Sequence, residues 1–303
     1  MNTDPAPSVG RLQETFASHP FSAHGSQWDL LWRESYTPWD RGGPSVALAD
    51  VLSDHPEYFP SRSPPLAGKG EKKPRALAPG CGRGYDVLLL SAFGYDVTGL
   101  DVSAASVQEA EENERAQALA KDEMYAPRRG EKGTVKWVVG DFFAGGKDAV
   151  VEEGGFDLIY DYTVGPSFLY RSIAKGLTVV QFFCALPPEA RHRWAKRMSE
   201  LLRPETGLLV CLEWPLTKAP STGGPPWGLT PETYVAHLNH PGTELEYTVS
   251  GVPVPALPEL PSPTRALRRL AHIKPSRTHK SGYDEAGNVT DFISVWGHAS
   301  RPL

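Results

Sequence analysis

The 303-residue sequence has few cysteines, no long apolar run and no apolar leader, and each shortage excludes a class of protein. Cys81, Cys184 and Cys211 show no CxxC spacing, and each lies in or beside an apolar run. This predicts reduced, buried thiols rather than a disulfide framework or a zinc site. No run approaches the roughly 20 apolar residues that cross a bilayer, so we expect a cytoplasmic protein that does not bind membranes.

Concentrated basic charge and metal-ligand spacing are also missing. The formal net charge is −5, and the lysines and arginines are scattered, which argues against a nucleic-acid partner. The nine histidines show no ligand spacing, so we predict no metal. The length is sufficient for one large core or two small ones. We predict a single domain over residues 27–303 and a monomer, with an N-terminal extension, residues 1–26, and excursions at 60–74, 164–181 and 252–280.

Strand-like runs alternate with helical segments along most of the chain. The predicted strands are residues 75–79, 95–101, 135–141, 156–162, 207–214, 245–249 and 292–298. The predicted helices are residues 27–33, 44–53, 85–92, 103–120, 188–202 and 231–238, with Ser103 as an N-cap. This alternation predicts an α/β fold in three layers, with a mostly parallel sheet covered by helices on both faces.

A glycine-dense turn follows the first apolar run and carries the clearest chemical signal. Gly80, Gly82 and Gly84 form GxGxG where a strand must turn sharply and open a helix. Asp101 ends the next apolar run, where an acid would meet ribose hydroxyls. The pattern predicts a nucleoside site. Tyr85 stands where the third glycine of the dinucleotide motif GxGxxG would fall, so an NAD-dependent oxidoreductase is the weaker alternative.

Several ordered motifs carry a family resemblance. They are QWDLLWRESYTPWDRGGP at residues 27–44, APGCGRGYDV, GLDVS, GDFF, FDLIYDYT, FFCALPPEARHRWAKRM and GGPPWGLTPETY. Together they resemble the thiopurine S-methyltransferase superfamily, in its thiol and halide methyltransferase branch. The resemblance implies a seven-stranded class I methyltransferase fold, S-adenosylmethionine as cofactor, and a small thiol, thiocyanate or halide as acceptor. A small-molecule O- or N-methyltransferase of the same fold remains the alternative.

The resemblance also implies a set of site residues. Trp28 and Trp32 lie four apart and share one face of a helix. Asp161 and Tyr162 end the fourth strand and are candidates to position or deprotonate a thiol. The implied cofactor contacts are Trp28, Trp32, Trp39, Gly80, Asp101, Asp141, Phe142 and Tyr162. An acid and an aromatic ring at the end of the third strand, Asp141 and Phe142, suit an adenine amine and its ring.

The sequence departs from this family at residues 164–181, which separate YDYT from FFCALPP. Every valine codon starts with GT, a glutamine codon can end in AG, and Leu177-Thr178 can be encoded by the branch-point-like CTGAC. Our hypothesis is that these 18 in-frame codons are a retained intron or a gene-model error. A genuine insertion, such as a substrate lid, is the alternative. A catalytically silent cofactor-binding protein, disabled by the segment, is a third possibility.

Overall fold

The sheet of this computed structural model, which describes residues 9–59, 72–162, 182–254 and 265–300, has the strand order β3-β2-β1-β4-β5-β7-β6. In the described part its strands are β1 (Arg75–Pro79), β2 (Asp96–Asp101), β3 (Val135–Val139), β4 (Leu158–Asp161), β5 (Leu208–Glu213), β6 (Leu267–Ile273) and β7 (Phe292–His298). The helices are α1 (Val9–Ala17), α2 (His24–Arg33), α3 (Val46–Asp54), α4 (Tyr85–Ala92), α5 (Ala104–Ala120), α6 (Arg191–Leu201) and α7 (Pro231–Asn239).

The register shows which strands share a direction. β1 runs parallel to β2 and to β4, with Ala76 opposite both Val97 and Leu158. β5 is parallel to β4, whereas β7 is antiparallel to its neighbours β5 and β6. The carboxyl ends of β1 to β5 therefore meet at one edge of the sheet, where open α/β folds bind ligands. The mostly parallel sheet that was predicted is confirmed.

Alternate residues of the central strands enter two apolar layers, one on each face of the sheet. Ala76 and Tyr160 pack in the layer that includes α3 and α4, whereas Leu77 and Ile159 pack with α6 and α7. A smaller cluster joins Leu12 and Phe16 of α1 to the tryptophans that follow. Helix α1 was not predicted, and it lies in the segment expected to be an N-terminal extension.

The predicted N-cap Ser103 is confirmed by a local hydrogen bond. Ser103 Oγ accepts a hydrogen bond from Ser106 N at 3.1 Å and caps α5. Ser45 caps α3 in the same way, through Leu48 N at 3.2 Å. A 3₁₀ turn, Pro188–Ala190, leads directly into α6. The three cysteines are buried and none of them is in a disulfide bond, as predicted.

The predicted sixth strand at residues 245–249 is wrong. The sixth strand is β6, which lies inside the stretch 252–280 that was expected to be an excursion. It escaped prediction because it is an edge strand whose Arg268, Arg269 and His272 break the apolar pattern. Residues 245–249 instead carry the fully exposed Val249 and one isolated bridge, from Tyr247 to Pro253.

Two features are absent from residues 9–59, 72–162, 182–254 and 265–300. No helix in these ranges is long and apolar enough to cross a membrane. No group of three or more histidine, cysteine, aspartate or glutamate side chains in them could hold a metal ion. Residues 60–71 and 163–181, which include most of the first predicted excursion and all of the second, lie outside the described part.

Candidate active site

A cavity of about 750 Å³, here called the large cavity, lies at the carboxyl edge of the sheet. It is bounded by the turn after β1, the ends of β2 and β3, and the aromatic residues of α2 and the loop after it. Seven of the predicted cofactor contacts line it: Trp28, Trp32, Trp39, Gly80, Asp101, Asp141 and Phe142. The eighth, Tyr162, is not among its lining residues.

The glycine turn beneath this cavity depends on positive φ angles. Gly80, Gly82 and Gly84 have φ of 61°, 53° and 72°, a region that side chains other than glycine rarely adopt. A Cβ atom on Gly84 would lie 2.1 Å from Cη2 of Trp137, on β3. Gly84 is therefore required for two reasons: its positive φ angle and the close approach of the turn to the Trp137 ring.

Asp101 ties the end of β2 to the glycine turn. Its Oδ2 accepts a hydrogen bond from Gly82 N at 3.1 Å, and its Oδ1 accepts one from Ser103 N at 3.0 Å. Burial raises the pKa of Asp101, against hydrogen bonds from the Ser103 and Gly82 backbone that lower it. Asp101 also lines the large cavity, where a carboxylate can accept hydrogen bonds from the hydroxyl groups of a ligand.

The tryptophans form one wall of the large cavity. The Trp39 ring meets Trp28 at a centroid distance of 5.1 Å and Trp32 at 5.7 Å, edge to face in both cases. Phe16 of α1 packs on Trp28 at 4.3 Å. Trp28 and Trp32, which share one face of α2 as predicted, both contact Trp39, and Phe16 of α1 packs against this cluster.

Asp141 and Phe142 follow β3 on the opposite side of the cavity. Asp141 is exposed, and its Oδ1 accepts a hydrogen bond from Phe143 N at 2.8 Å. Phe142 is buried, and its ring stands edge-on to Phe182 at 4.9 Å. Arg197 Nε donates to the Phe142 carbonyl oxygen at 3.1 Å, which holds the turn in place.

Asp161 is placed apart from the cavity. Its Oδ2 accepts a hydrogen bond from Trp194 Nε1 at 2.6 Å, and its Oδ1 accepts one from Phe183 N at 3.3 Å. Burial raises the pKa of Asp161 to about 7, although both hydrogen bonds lower it. The side chain is 1% exposed, and it is not among the lining residues of the large cavity.

Tyr162 lines a second cavity, of about 250 Å³, at the same edge of the sheet. The guanidinium carbon of Arg41 lies 4.7 Å from the centroid of the Tyr162 ring. We call this the Arg41 cavity; it is lined by Arg41, Gly43, Pro44, Ser45, Val46, Tyr162, Thr278, His279, Lys280 and Ser281. Sequence reasoning missed Arg41, because its burial depends on residues more than a hundred positions away.

The large cavity fits S-adenosylmethionine on the chemistry of its lining. A buried acid that lines the cavity, Asp101, suits ribose hydroxyls, and the Trp39 wall suits a sulfonium, which is attracted to aromatic faces. The cavity volume of about 750 Å³ lies within the usual range for small-molecule pockets. The sheet order and this lining define a class I S-adenosylmethionine-dependent methyltransferase.

Comparisons with known proteins identify the family. The family model described as Thiopurine S-methyltransferase matches residues 23–165 and 179–250, and this chain belongs to that family. Thiocyanate methyltransferase 1 of Brassica oleracea is 31% identical over 215 residues, which cover 71% of this chain and 72% of the relative. Probable thiol methyltransferase 2 of Arabidopsis thaliana is 30% identical over 207 residues, covering 68% and 69%.

Among solved structures, a TehB-like SAM-dependent methyltransferase from Corynebacterium glutamicum has a TM-score of 0.41 at 14% identity, covering 91% of this chain and 99% of that chain. The family match confirms the predicted enzyme class. S-adenosylmethionine is the cofactor, and a small molecule accepts the methyl group. The match is interrupted between residues 165 and 179, inside the segment 164–181 that was identified as a departure from the family.

Proposed function

We propose that this enzyme transfers the methyl group of S-adenosylmethionine to a small thiol, thiocyanate or halide. The observation that carries the proposal is the large cavity, into which the strand ends and α2 bring seven of the predicted contacts. Relatives named for thiocyanate and thiol methylation support the choice of acceptor.

Different residues of the large cavity would bind different parts of the cofactor. Asp101 would accept hydrogen bonds from the ribose hydroxyls, and Gly80 would let the backbone approach closely. Asp141 and Phe142 would hold the adenine, the acid through its amine and the phenyl ring by packing. Trp28, Trp32 and Trp39 would face the methionine end, where a cation gains about 0.5–2 kcal/mol against an aromatic face.

Bound S-adenosylmethionine supplies an electrophilic methyl carbon on a sulfonium sulfur. The protein must align the acceptor with that carbon and exclude bulk water. Thiocyanate and halide ions need no base, and a thiol with a pKa near 8.5 is already partly ionised at neutral pH. A dedicated catalytic base is therefore unnecessary for this chemistry.

The full chain tests the proposal directly. Incubated with S-adenosylmethionine and, separately, thiocyanate, iodide and alkyl thiols, it should yield S-adenosylhomocysteine and the methylated acceptor, both measured by mass spectrometry. A chain heated to unfolding is the control. Absence of both products with every acceptor would refute the proposal. Methylation only of hydroxyl or amine acceptors would establish the O- or N-methyltransferase alternative.

Asp101→Asn should weaken cofactor binding about 10- to 100-fold, because charge-assisted hydrogen bonds contribute about 1.5–3 kcal/mol each. Titration calorimetry with S-adenosylhomocysteine measures the loss. The matched control is Asp122→Asn, since Asp122 also accepts a backbone hydrogen bond, from Met124 N at 2.8 Å, but lies on the exposed turn after α5. Equal affinities for the wild type and Asp101→Asn would remove Asp101 from the cofactor site.

We infer that Asp161 is a positioning residue, because it is buried, lines neither cavity and accepts hydrogen bonds from Trp194 and Phe183. Asp161→Asn should lower the free energy of unfolding by about 1–3 kcal/mol, since the amide cannot accept from both donors. With a thiol acceptor, activity should fall toward acid pH because the thiol becomes protonated. Asp161→Asn should show the same fall.

Trp194→Phe is the matched control for Asp161→Asn, because it removes the donor and keeps the carboxylate. It should also lower stability and leave the pH–rate profile unchanged. If Asp161 were instead a general base, with its pKa of about 7, thiol methylation would fall as pH drops through 7. If the rate of thiol methylation no longer fell with decreasing pH in Asp161→Asn, but still fell in Trp194→Phe, the result would contradict the positioning role.

A further inference from the structure

The guanidinium of Arg41 is a buried cation with unused donors. Its three nitrogens are buried and make no hydrogen bond to any residue that the structure describes. A guanidinium carries five N–H donors, and burying them without acceptors costs free energy. Burial lowers the pKa of Arg41 to about 9, so the group is still cationic at neutral pH.

The neighbouring acids act on this charge but accept none of its hydrogen bonds. Asp291 accepts a hydrogen bond from Thr278 Oγ1 at 2.6 Å and lies 3.1 Å from Nε2 of His279. Asp86 Oδ1 accepts one from Ser45 N at 2.7 Å, and burial raises its pKa to about 7. Both acids favour the charged form of Arg41, yet neither accepts its hydrogen bonds. Among the described residues, the donors of Arg41 therefore have no acceptor, and a ligand could supply one.

The Arg41 cavity adjoins the place where the cofactor would bind. Tyr162 follows β4, and β4 pairs with β1, whose glycine turn lines the large cavity. Trp39 lines the large cavity and Arg41, two residues later, lines the second one. A ligand beside Arg41 would therefore occupy the next position along the same sheet edge.

We propose that the Arg41 cavity is the acceptor pocket and binds the acceptor as a compact monovalent anion: thiocyanate, a halide or a thiolate. This inference rests on the methyl transfer proposed above. The volume of about 250 Å³ is below that of drug-sized ligand pockets, which suits an acceptor of few atoms. The Tyr162 ring and Pro44 supply apolar surface beside the cation.

The charge balance of the reaction predicts which kinetic constant Arg41 controls. A lone pair of the anion forms the new bond to the methyl carbon while the bond from that carbon to the sulfonium sulfur breaks. An anion and a cation thus become two neutral products, and no proton or oxidant is needed. Because the acceptor loses its charge on the way, Arg41 binds the ground state more strongly than the transition state. Loss of Arg41 should therefore raise KM and leave kcat unchanged or higher.

Arg41→Gln should therefore raise KM for thiocyanate roughly 10- to 100-fold, with kcat unchanged or higher and KM for S-adenosylmethionine unchanged. Arg269→Gln, which removes an exposed arginine of the edge strand β6, is the matched control. A rise confined to KM for S-adenosylmethionine would assign Arg41 to the cofactor and overturn the proposal. Unchanged constants for both substrates would overturn it as well.

Anion binding can be measured without turnover, which separates this inference from the proposed function. Sodium iodide is titrated into the full chain by calorimetry, at constant ionic strength set with sodium gluconate. The Kd for iodide should rise at least tenfold in Arg41→Gln and stay constant in Arg269→Gln, while circular dichroism confirms that each variant is folded. Equal Kd values in all three chains would refute the pocket even if methyl transfer is observed. Arg41-dependent iodide binding in a chain without transferase activity would refute only the proposed function.

Discussion

Gly84→Ala is expected to lower the free energy of unfolding by about 2–5 kcal/mol and to abolish measurable binding of the cofactor. The left-handed backbone, with φ of 72°, costs an alanine about 1–2 kcal/mol. The added Cβ would lie 2.1 Å from Trp137, and overpacking of this kind costs about 1–3 kcal/mol. Relief of the clash must shift the turn that carries Gly80 and Gly82. Chemical denaturation and titration with S-adenosylhomocysteine measure the two losses.

Two further variants separate the backbone cost from the clash. Gly130 has a φ of 79°, and no atom lies within 4 Å of a Cβ placed on it, so Gly130→Ala should show the backbone cost alone. Trp137→Leu removes the ring that Gly84→Ala would strike. The double variant should therefore be less destabilised than the sum of its single changes. Strict additivity would contradict the contact between Gly84 and Trp137.

The central strands were predictable because both of their faces are buried. Residues such as Leu77 and Ile159 belong to short, nearly continuous apolar runs, which are typical of a parallel sheet. An edge strand with one exposed face gives a mixed pattern, and β6 was missed for that reason. Seven of the residues that line the large cavity were also predictable, since they belong to local motifs at strand ends, on one face of α2 and in the loop after it.

The surroundings of Asp161 and Arg41 could not be read from the sequence. Asp161 meets Trp194 across 33 positions, and the two pair because α6 packs on the sheet beside β4. The Arg41 cavity combines a loop before α3 with residues 278–281, which follow a strand that the sequence did not reveal. A local motif cannot specify contacts that depend on the packing of distant elements.

The residues on either side of the segment 164–181 are close together in the structure. Asp161 Oδ1 accepts a hydrogen bond from Phe183 N at 3.3 Å, although the two are 22 positions apart. Without the segment, only Tyr162, Thr163 and Phe182 would separate them. Three residues are enough for a tight turn closed by an aspartate side chain. The flanking residues are thus arranged so that a direct connection could join them, which agrees with the break in the family match.

A chain lacking residues 164–181 should fold and methylate its acceptor with a kcat/KM about a hundredfold above that of the full chain. Tyr162 lines the Arg41 cavity and Phe182 lines the large cavity, so the residues that flank the segment border the two cavities in which the substrates must be aligned. Displacing reacting groups by about 1 Å can cost on the order of a hundredfold in rate. Steady-state kinetics on both chains and sequencing of the transcripts are the measurements.

Replacing residues 164–181 with a glycine-serine linker of equal length controls for the specific sequence of the segment. If these residues are a retained intron, the linker chain should be about as impaired as the full chain, because added length at this point is what disturbs alignment. A genuine lid would behave in the opposite way. The full chain would then be the most active of the three, the linker chain would lose activity, and every transcript would retain the 18 codons.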